Sequence, residues 1–255
     1  MKLSNRDLGN TMTLEVYTGA TPNGWKITVM IEELIEAGIE LGKVNMHRMN
    51  LSDGDQFTED FMKINPNQKI PAIVHNGKSI IESCAILHYL GETFPTKLFP
   101  KDHQRWEVIP WLYWQAANIG PIFGNKLSYT RYIRDASDEE RRHPIERFNK
   151  EALRLVGVMD YQLAQHSYLC GDHFTVADIA TWCWIRSYKW VKIDITTKPR
   201  VMDWLKRVRS RPGVERGISF GVPKAEIDTF SKDRRESYTN DGGNIASNSE
   251  LKSDV

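Results

Sequence analysis

The first third of the chain mixes two periodicities. Leu14-Glu15-Val16-Tyr17 alternates apolar and polar residues, which predicts a short strand. After Thr21-Pro22-Asn23-Gly24 the period changes. Ile27, Met30, Ile31, Leu34 and Ile35 recur at helical spacing, with Gly38 where a C-cap belongs. A second strand is expected over Lys43 to Met49 and a short helix around Phe57 to Lys63. A third strand covers Ile70 to Val74 and a fourth Ser79 to Ile81. Asn76-Gly77 between the last two is a strong hairpin signal, because both turn positions need positive φ. Glu82-Ser83 then leads into a helix through Ile86, Leu87 and Leu90. The order is β-α-β-α-β-β-α. Pro71 inside the third strand removes a ladder donor. Either it sits on a strand edge with a trans bond, or Ile70-Pro71 is cis and turns the backbone toward a ligand.

Beyond a linker at Pro95 to Pro100 helical periodicity dominates, from about His103 to Arg211. Trp106, Ile109, Leu112, Tyr113, Ala116 and Ala117 mark one helix. Ile145 to Gln165 is another, with Phe148, Ala152, Leu155, Val156, Met159 and Leu163 on one face. Thr175-Val176-Ala177-Asp178 has capping-box spacing, flanked by Phe174 and Ile179 at the staple positions. The expected division is a leader at 1–11, an α/β unit at 12–96, a helical unit at 103–221 and a polar, partly disordered tail at 222–255.

Composition narrows the function classes. The 255 residues carry 34 basic and 33 acidic side chains, a formal charge of +1. No bulk electrostatic partner such as nucleic acid or an acidic membrane is expected. No long uncharged apolar run predicts a transmembrane helix, and Met1 to Thr11 lacks the apolar core of a secretory signal. Cys84, Cys170 and Cys183 are scattered, which suits free thiols in a reducing, cytoplasmic setting. The seven histidines show no paired metal spacing, so no metal is expected.

The turn at Thr21 to Gly24 carries the chemistry. A redox protein of this layout places Cys-x-x-Cys at such a strand-to-helix turn; here a hydroxyl and an amide stand instead. A helix N-terminus still offers unpaired N–H groups and the positive end of a dipole. Such a site suits a thiolate that the chain does not own, hence a bound thiol cofactor.

Five separated motifs then fall in one order. With Thr21-Pro22-Asn23-Gly24 at the first helix come Gly54-Asp55-Gln56-Phe57, Asn65-Pro66-Asn67-Gln68-Lys69-Ile70-Pro71-Ala72, Glu82-Ser83, Trp111-Leu112-Tyr113-Trp114 and Ile145-Glu146-Arg147-Phe148. From about Thr13 to Gly221 the chain resembles the cytosolic glutathione transferases, and in its first motif the Nu class, the bacterial disulfide-bond reductase type. The resemblance implies a thioredoxin-like α/β domain followed by an all-α domain, bound glutathione, small disulfides or electrophiles as partners, and a homodimer. It assigns Thr21 and Asn23 to the thiolate. Glu82 goes to the γ-glutamyl amine and Ser83 to its carboxylate. Ile70 meets the peptide middle through its backbone. Gln56 and Lys69 are candidates for the glycyl carboxylate. Arg147 approaches the glutathione of its own or the partner subunit. Phe123 and Tyr129 are candidates for a second-substrate pocket.

Plainer roles remain open for several of these. Glu82-Ser83 also suits a helix cap, Thr21 an N-cap with Pro22 at the next position, and Lys69 a solvated surface. Tyr17 is an alternative thiol partner. Cys84 is either a small buried hydrophobe or a mixed-disulfide partner for glutathione. A non-enzymatic binding or regulatory protein on the same fold is the alternative to a reductase or transferase.

Overall fold

The computed structural model describes residues 12–220; the expected leader and polar tail lie outside the described residues. The strands are β1 (Thr13–Thr18), β2 (Lys43–Arg48), β3 (Ala72–His75) and β4 (Lys78–Ile81), in spatial order β2-β1-β3-β4. β1 pairs parallel with β2 (Val16 opposite Met46) and antiparallel with β3 (Val16 opposite Ile73). Leu14, Val16 and Thr18 face inward and are fully buried, as the alternation requires. β3 and β4 form the hairpin, with Asn76 at φ 51° and Gly77 at φ 81°. The Ile70-Pro71 bond is cis. β3 starts at Ala72, two residues later than the apolar run suggests, because Pro71 has no N–H for the ladder.

Three helices complete the α/β unit: α1 (Pro22–Glu36), α2 (Glu59–Ile64) and α3 (Ser83–Thr93). A single 3-10 turn at Asp55–Phe57 precedes α2, and Thr58 caps α2 by accepting from the Phe61 N–H at 3.4 Å. Gly38, at φ 73°, terminates α1 as expected.

The second unit is helical: α4 (Arg105–Trp114), α5 (Gly120–Leu127), α6 (Asp138–Gln162), α7 (Val176–Ile185), α8 (Tyr188–Val191), α9 (Pro199–Arg209) and α10 (Pro212–Ile218). The run from α4 to α5 contains a wider π-type turn at Gln115–Ile119, a feature that often marks functional positions. α7 carries the capping box, in which the Asp178 carboxylate accepts from the Thr175 N–H and Oγ1 at 3.0 and 3.1 Å. α6 begins seven residues before the expected Ile145, on a Ser137/Glu140 capping box. Its first turns are polar and carry Pro144, so no apolar period announces them.

α10 returns to the first unit and packs along α1. The Arg211 guanidinium donates to both Glu33 carboxylate oxygens, at 3.0 and 2.5 Å. A Cβ on Gly217 would lie 2.5 Å from Val29 Cα, so only glycine allows this approach. Buried between the sheet side, α7 and α10, α1 exposes little beyond its last turn.

Candidate functional site

The N-terminus of α1 packs tightly against the turn that follows β1. Gly24 is packed so closely against the preceding turn that a Cβ there would stand 2.1 Å from the Gly19 oxygen. That contact seats the helix start on the end of β1. Thr21 caps the helix, its Oγ1 accepting from the Gly24 N–H at 3.0 Å. The cap uses the hydroxyl as an acceptor, so its proton remains for a ligand. The capping and ligand roles of Thr21 are compatible in one geometry.

Asn23 is pinned by the second unit. Its Oδ1 accepts from Trp184 Nε1 at 2.9 Å and lies 3.5 Å from the Ser83 hydroxyl. With Oδ1 so engaged, the amide nitrogen is the group available to donate. Ser83 opens α3 and is buried. Glu82, just before it, is exposed and sits at φ 68°, a strained conformation for a side-chain-bearing residue.

One turn along α1 from Asn23, on the same face, stands Lys26. It is 2% exposed, yet its Nζ donates to Gln115 Oε1 at 2.7 Å and Ser83 Oγ at 3.1 Å, and lies 3.6 Å from Cys84 Sγ. Burial pushes its pKa down from the usual lysine value, and neighbouring Cys84, Cys183 and Glu82 act the other way. Asn23, Lys26, Glu82, Ser83, Cys84, Gln115 and Trp184 line a cleft of about 390 Å³ whose far wall is Gly120, Gly124 and Ser128 of the helical unit. That is the size of a small-ligand site. Lys26, Gln115 and Trp184 are the site residues that sequence reasoning missed. The available signal was a lysine inside the apolar run from Trp25 to Ile31, three residues after Asn23.

The remaining expected residues divide. Ile70 reaches the same turn, since a Cβ on Gly19 would meet its Cδ1 at 3.1 Å. Gln56 is buried, with Nε2 donating to the Leu51 carbonyl at 3.4 Å and Oε1 without a partner. Lys69 is exposed, and its carbonyl accepts from Asn65 Nδ2 at 2.6 Å. Neither of the two lines the cleft. Phe123 does not line it either: it is fully buried in the core, because the glycines on either side of it form the cleft wall instead. Tyr129 stacks on Phe148 with ring centroids 5.9 Å apart and is also outside the lining. Arg147, on α6, is exposed over the Phe148 ring and does not reach this chain's cleft. Tyr17 stacks on His47 at 4.5 Å, away from the lining residues.

Of the other two thiols, Cys183 is buried and Cys170 half-buried. Burial pushes both thiols up, that of Cys183 to about 12. Among the described residues no three His, Cys, Asp or Glu side chains stand together as a metal would need, and no helix is long and apolar enough to cross a membrane.

A thioredoxin-like sheet unit, a helical unit closing over it, and a cleft at the first helix N-terminus define a thiol-handling class of protein. Residues 12–92 match the glutathione S-transferase N-terminal domain and residues 124–212 the C-terminal domain. The disulfide-bond oxidoreductase YghU of Escherichia coli is 37% identical over 80% of this chain and 73% of its own length. The disulfide-bond oxidoreductase YfcG of the same organism is 34% identical over 80% of this chain and 94% of its own. A crystal structure of the glutathione transferase YghU from Streptococcus pneumoniae, complexed with glutathione, superposes with a TM-score of 0.75. It is 32% identical and covers 84% of this chain and 85% of that one. The chain belongs to the glutathione S-transferase family.

Proposed function

We propose that this protein is a glutathione-dependent disulfide-bond reductase and transferase that holds the glutathione thiolate at the N-terminus of α1. The observation that carries the proposal is the state of that N-terminus. Thr21 spends its oxygen on the cap and keeps its proton, and Asn23 is turned by Trp184 so that its amide can donate. Two donors and a helix dipole at one helix start would each favour the charged form of a sulfur held there. No protein Cys-x-x-Cys is needed, because a thiol supplied by glutathione attacks the substrate disulfide and a second glutathione resolves the product.

The rest of the tripeptide is assigned to residues in and beside the cleft. Glu82 takes the γ-glutamyl amine, and Ser83, at the start of α3, takes its carboxylate with Lys26 behind it. The backbone at Ile70 takes the peptide middle. Gln56 and Lys69 belong to the glycyl end, where a carboxylate needs an N–H donor or a cation. Within this proposal residues 12–96 form the glutathione-binding domain and residues 103–221 the helical domain. Trp106 and Tyr113, 67% and 65% exposed and two turns apart on α4, suit the buried face of a homodimer. Arg147, remote from this chain's cleft, is then assigned to the glutathione of a partner subunit. The three unpaired cysteines suit a cytoplasmic setting.

The test compares turnover of glutathione with a small disulfide and with an aryl halide. Reduction of the disulfide is expected to dominate, and Thr21→Ala to lower it more than it weakens glutathione binding. Wild-type levels of turnover in Thr21→Ala would contradict the assignment.

A further inference from the structure

The cleft contains a group that the proposed chemistry does not use. Cys84, the second residue of α3, lines the cleft and is partly exposed. Its thiol donates to Gln115 Oε1 at 3.1 Å, and its sulfur lies 3.6 Å from Lys26 Nζ. The acceptors around Lys26 Nζ are a hydroxyl, an amide oxygen and this sulfur, with no carboxylate among them. A buried ammonium without an anion is costly. A lysine placed in this way can take the Cys84 proton and then offset the sulfur charge.

Gln115 supplies a separate observation. It is fully buried, and Lys26 and Cys84 both use its Oε1, so Nε2 points the other way. Nε2 has no hydrogen-bond partner. A Cβ on Gly120, in the cleft wall, would lie 3.4 Å from it. A buried amide donor left unmade at a cleft wall calls for an acceptor carried by a ligand.

We infer that Cys84 is a covalent acceptor for a glutathionyl group delivered by glutathione disulfide, with Gln115 Nε2 donating to the attached tripeptide. The inference rests on the glutathione site proposed above. Cys84 passes its proton to Lys26, and its sulfur attacks one sulfur of glutathione disulfide. The disulfide bond of the reagent breaks and the Cys84 sulfur–sulfur bond forms. The other glutathione leaves as thiolate and takes the proton. Cys84 is oxidised and one glutathione equivalent is reduced, so electrons balance without a further reagent. The attached tripeptide occupies the cleft, and free glutathione reverses the step by the same exchange.

Peptide mass spectrometry of the full chain after incubation with glutathione disulfide tests this. One glutathionyl group is expected on the Cys84 peptide, none on those of Cys170 and Cys183, with removal by free glutathione and no adduct in Cys84→Ser. Lys26→Gln should slow adduct formation roughly tenfold, the effect of about 1.4 kcal/mol on a barrier. If that variant fails to fold, the adduct on the unaltered chain decides alone. Absence of an adduct at Cys84, or equal labelling of all three cysteines, would overturn the inference. Calorimetric binding of reduced glutathione to the unaltered chain separates the two levels. Binding without an adduct removes this inference only, whereas neither binding nor adduct removes the glutathione site as well.

Discussion

Helices α1 and α6 are the two longest among the described residues and are built on opposite terms. α1 is apolar and enclosed, with a lysine and a glutamate buried along it at 2% and 3% exposure. α6 is mostly polar, buries only Ala152, Leu155, Val156 and Met159, and spends its charges on pairs within itself, such as Glu139–Arg142 and Glu151–Arg154. Both were expected to carry glutathione contacts, through Thr21 and Asn23 on one and Arg147 on the other. Only the enclosed helix brings one of them, Asn23, into the cleft lining, with Thr21 capping its start just outside it. A polar side chain on a packed helix must be partnered and therefore holds a fixed position; one on a solvated face is free to point anywhere.

Substitutions should expose that contrast, beginning with the largest effect. Arg211→Ala strands the Glu33 carboxylate, of which 2% is exposed, against α10. A loss of about 3–5 kcal/mol is expected in chemical denaturation, as for other broken buried pairs. A loss below ~1 kcal/mol would show that α1 is not held by this contact. Gly217→Ala drives a methyl group into the α1 backbone at Val29 and should cost about 1–3 kcal/mol by overpacking, read in the same assay. Thr21→Ala should reduce disulfide turnover tenfold or more, from about 1.5–3 kcal/mol for a hydrogen bond to a charged sulfur. Thr21→Ser, which keeps both cap and donor, should recover most of that rate. Ser83→Ala or Glu82→Ala should act mainly on glutathione affinity, measured by titration calorimetry. On α6, Arg147→Ala should change stability by less than about 0.5 kcal/mol. Thermal denaturation showing a larger loss would mean that α6 is not the solvated helix described.

The sheet was legible because its signals are local. Two-residue alternation placed β1, and Asn76-Gly77 placed the hairpin. The start of α7 was equally clear, since Thr175, Asp178 and the staple residues carry one message within six positions. The start of α6 was not, because the turns from Asp138 to Pro144 rest on a capping box and on ion pairs such as Arg142 with Glu139, with no apolar stripe. At the site, Thr21, Asn23, Glu82 and Ser83 were named from motifs, and the fold gathers Asn23, Glu82 and Ser83 into one cleft with Thr21 at its helix start. Lys26 escaped because its meaning depends on Gln115, 89 positions away along the chain. The burial of Phe123 was not legible, because aromatic content says nothing about which side of a helix meets the core. Its neighbours Gly120 and Gly124 line the cleft.

The central claim is that α1 ionises a thiol belonging to glutathione. Ultraviolet thiolate absorbance of glutathione bound to the protein, titrated against pH, tests it most directly. Wild-type protein should show bound thiolate at neutral pH. In Thr21→Ala the titration should move up by about one to two pH units, the equivalent of one lost charge-assisted hydrogen bond. Bound glutathione that titrates like the free thiol, or an identical curve for Thr21→Ala, would contradict the account.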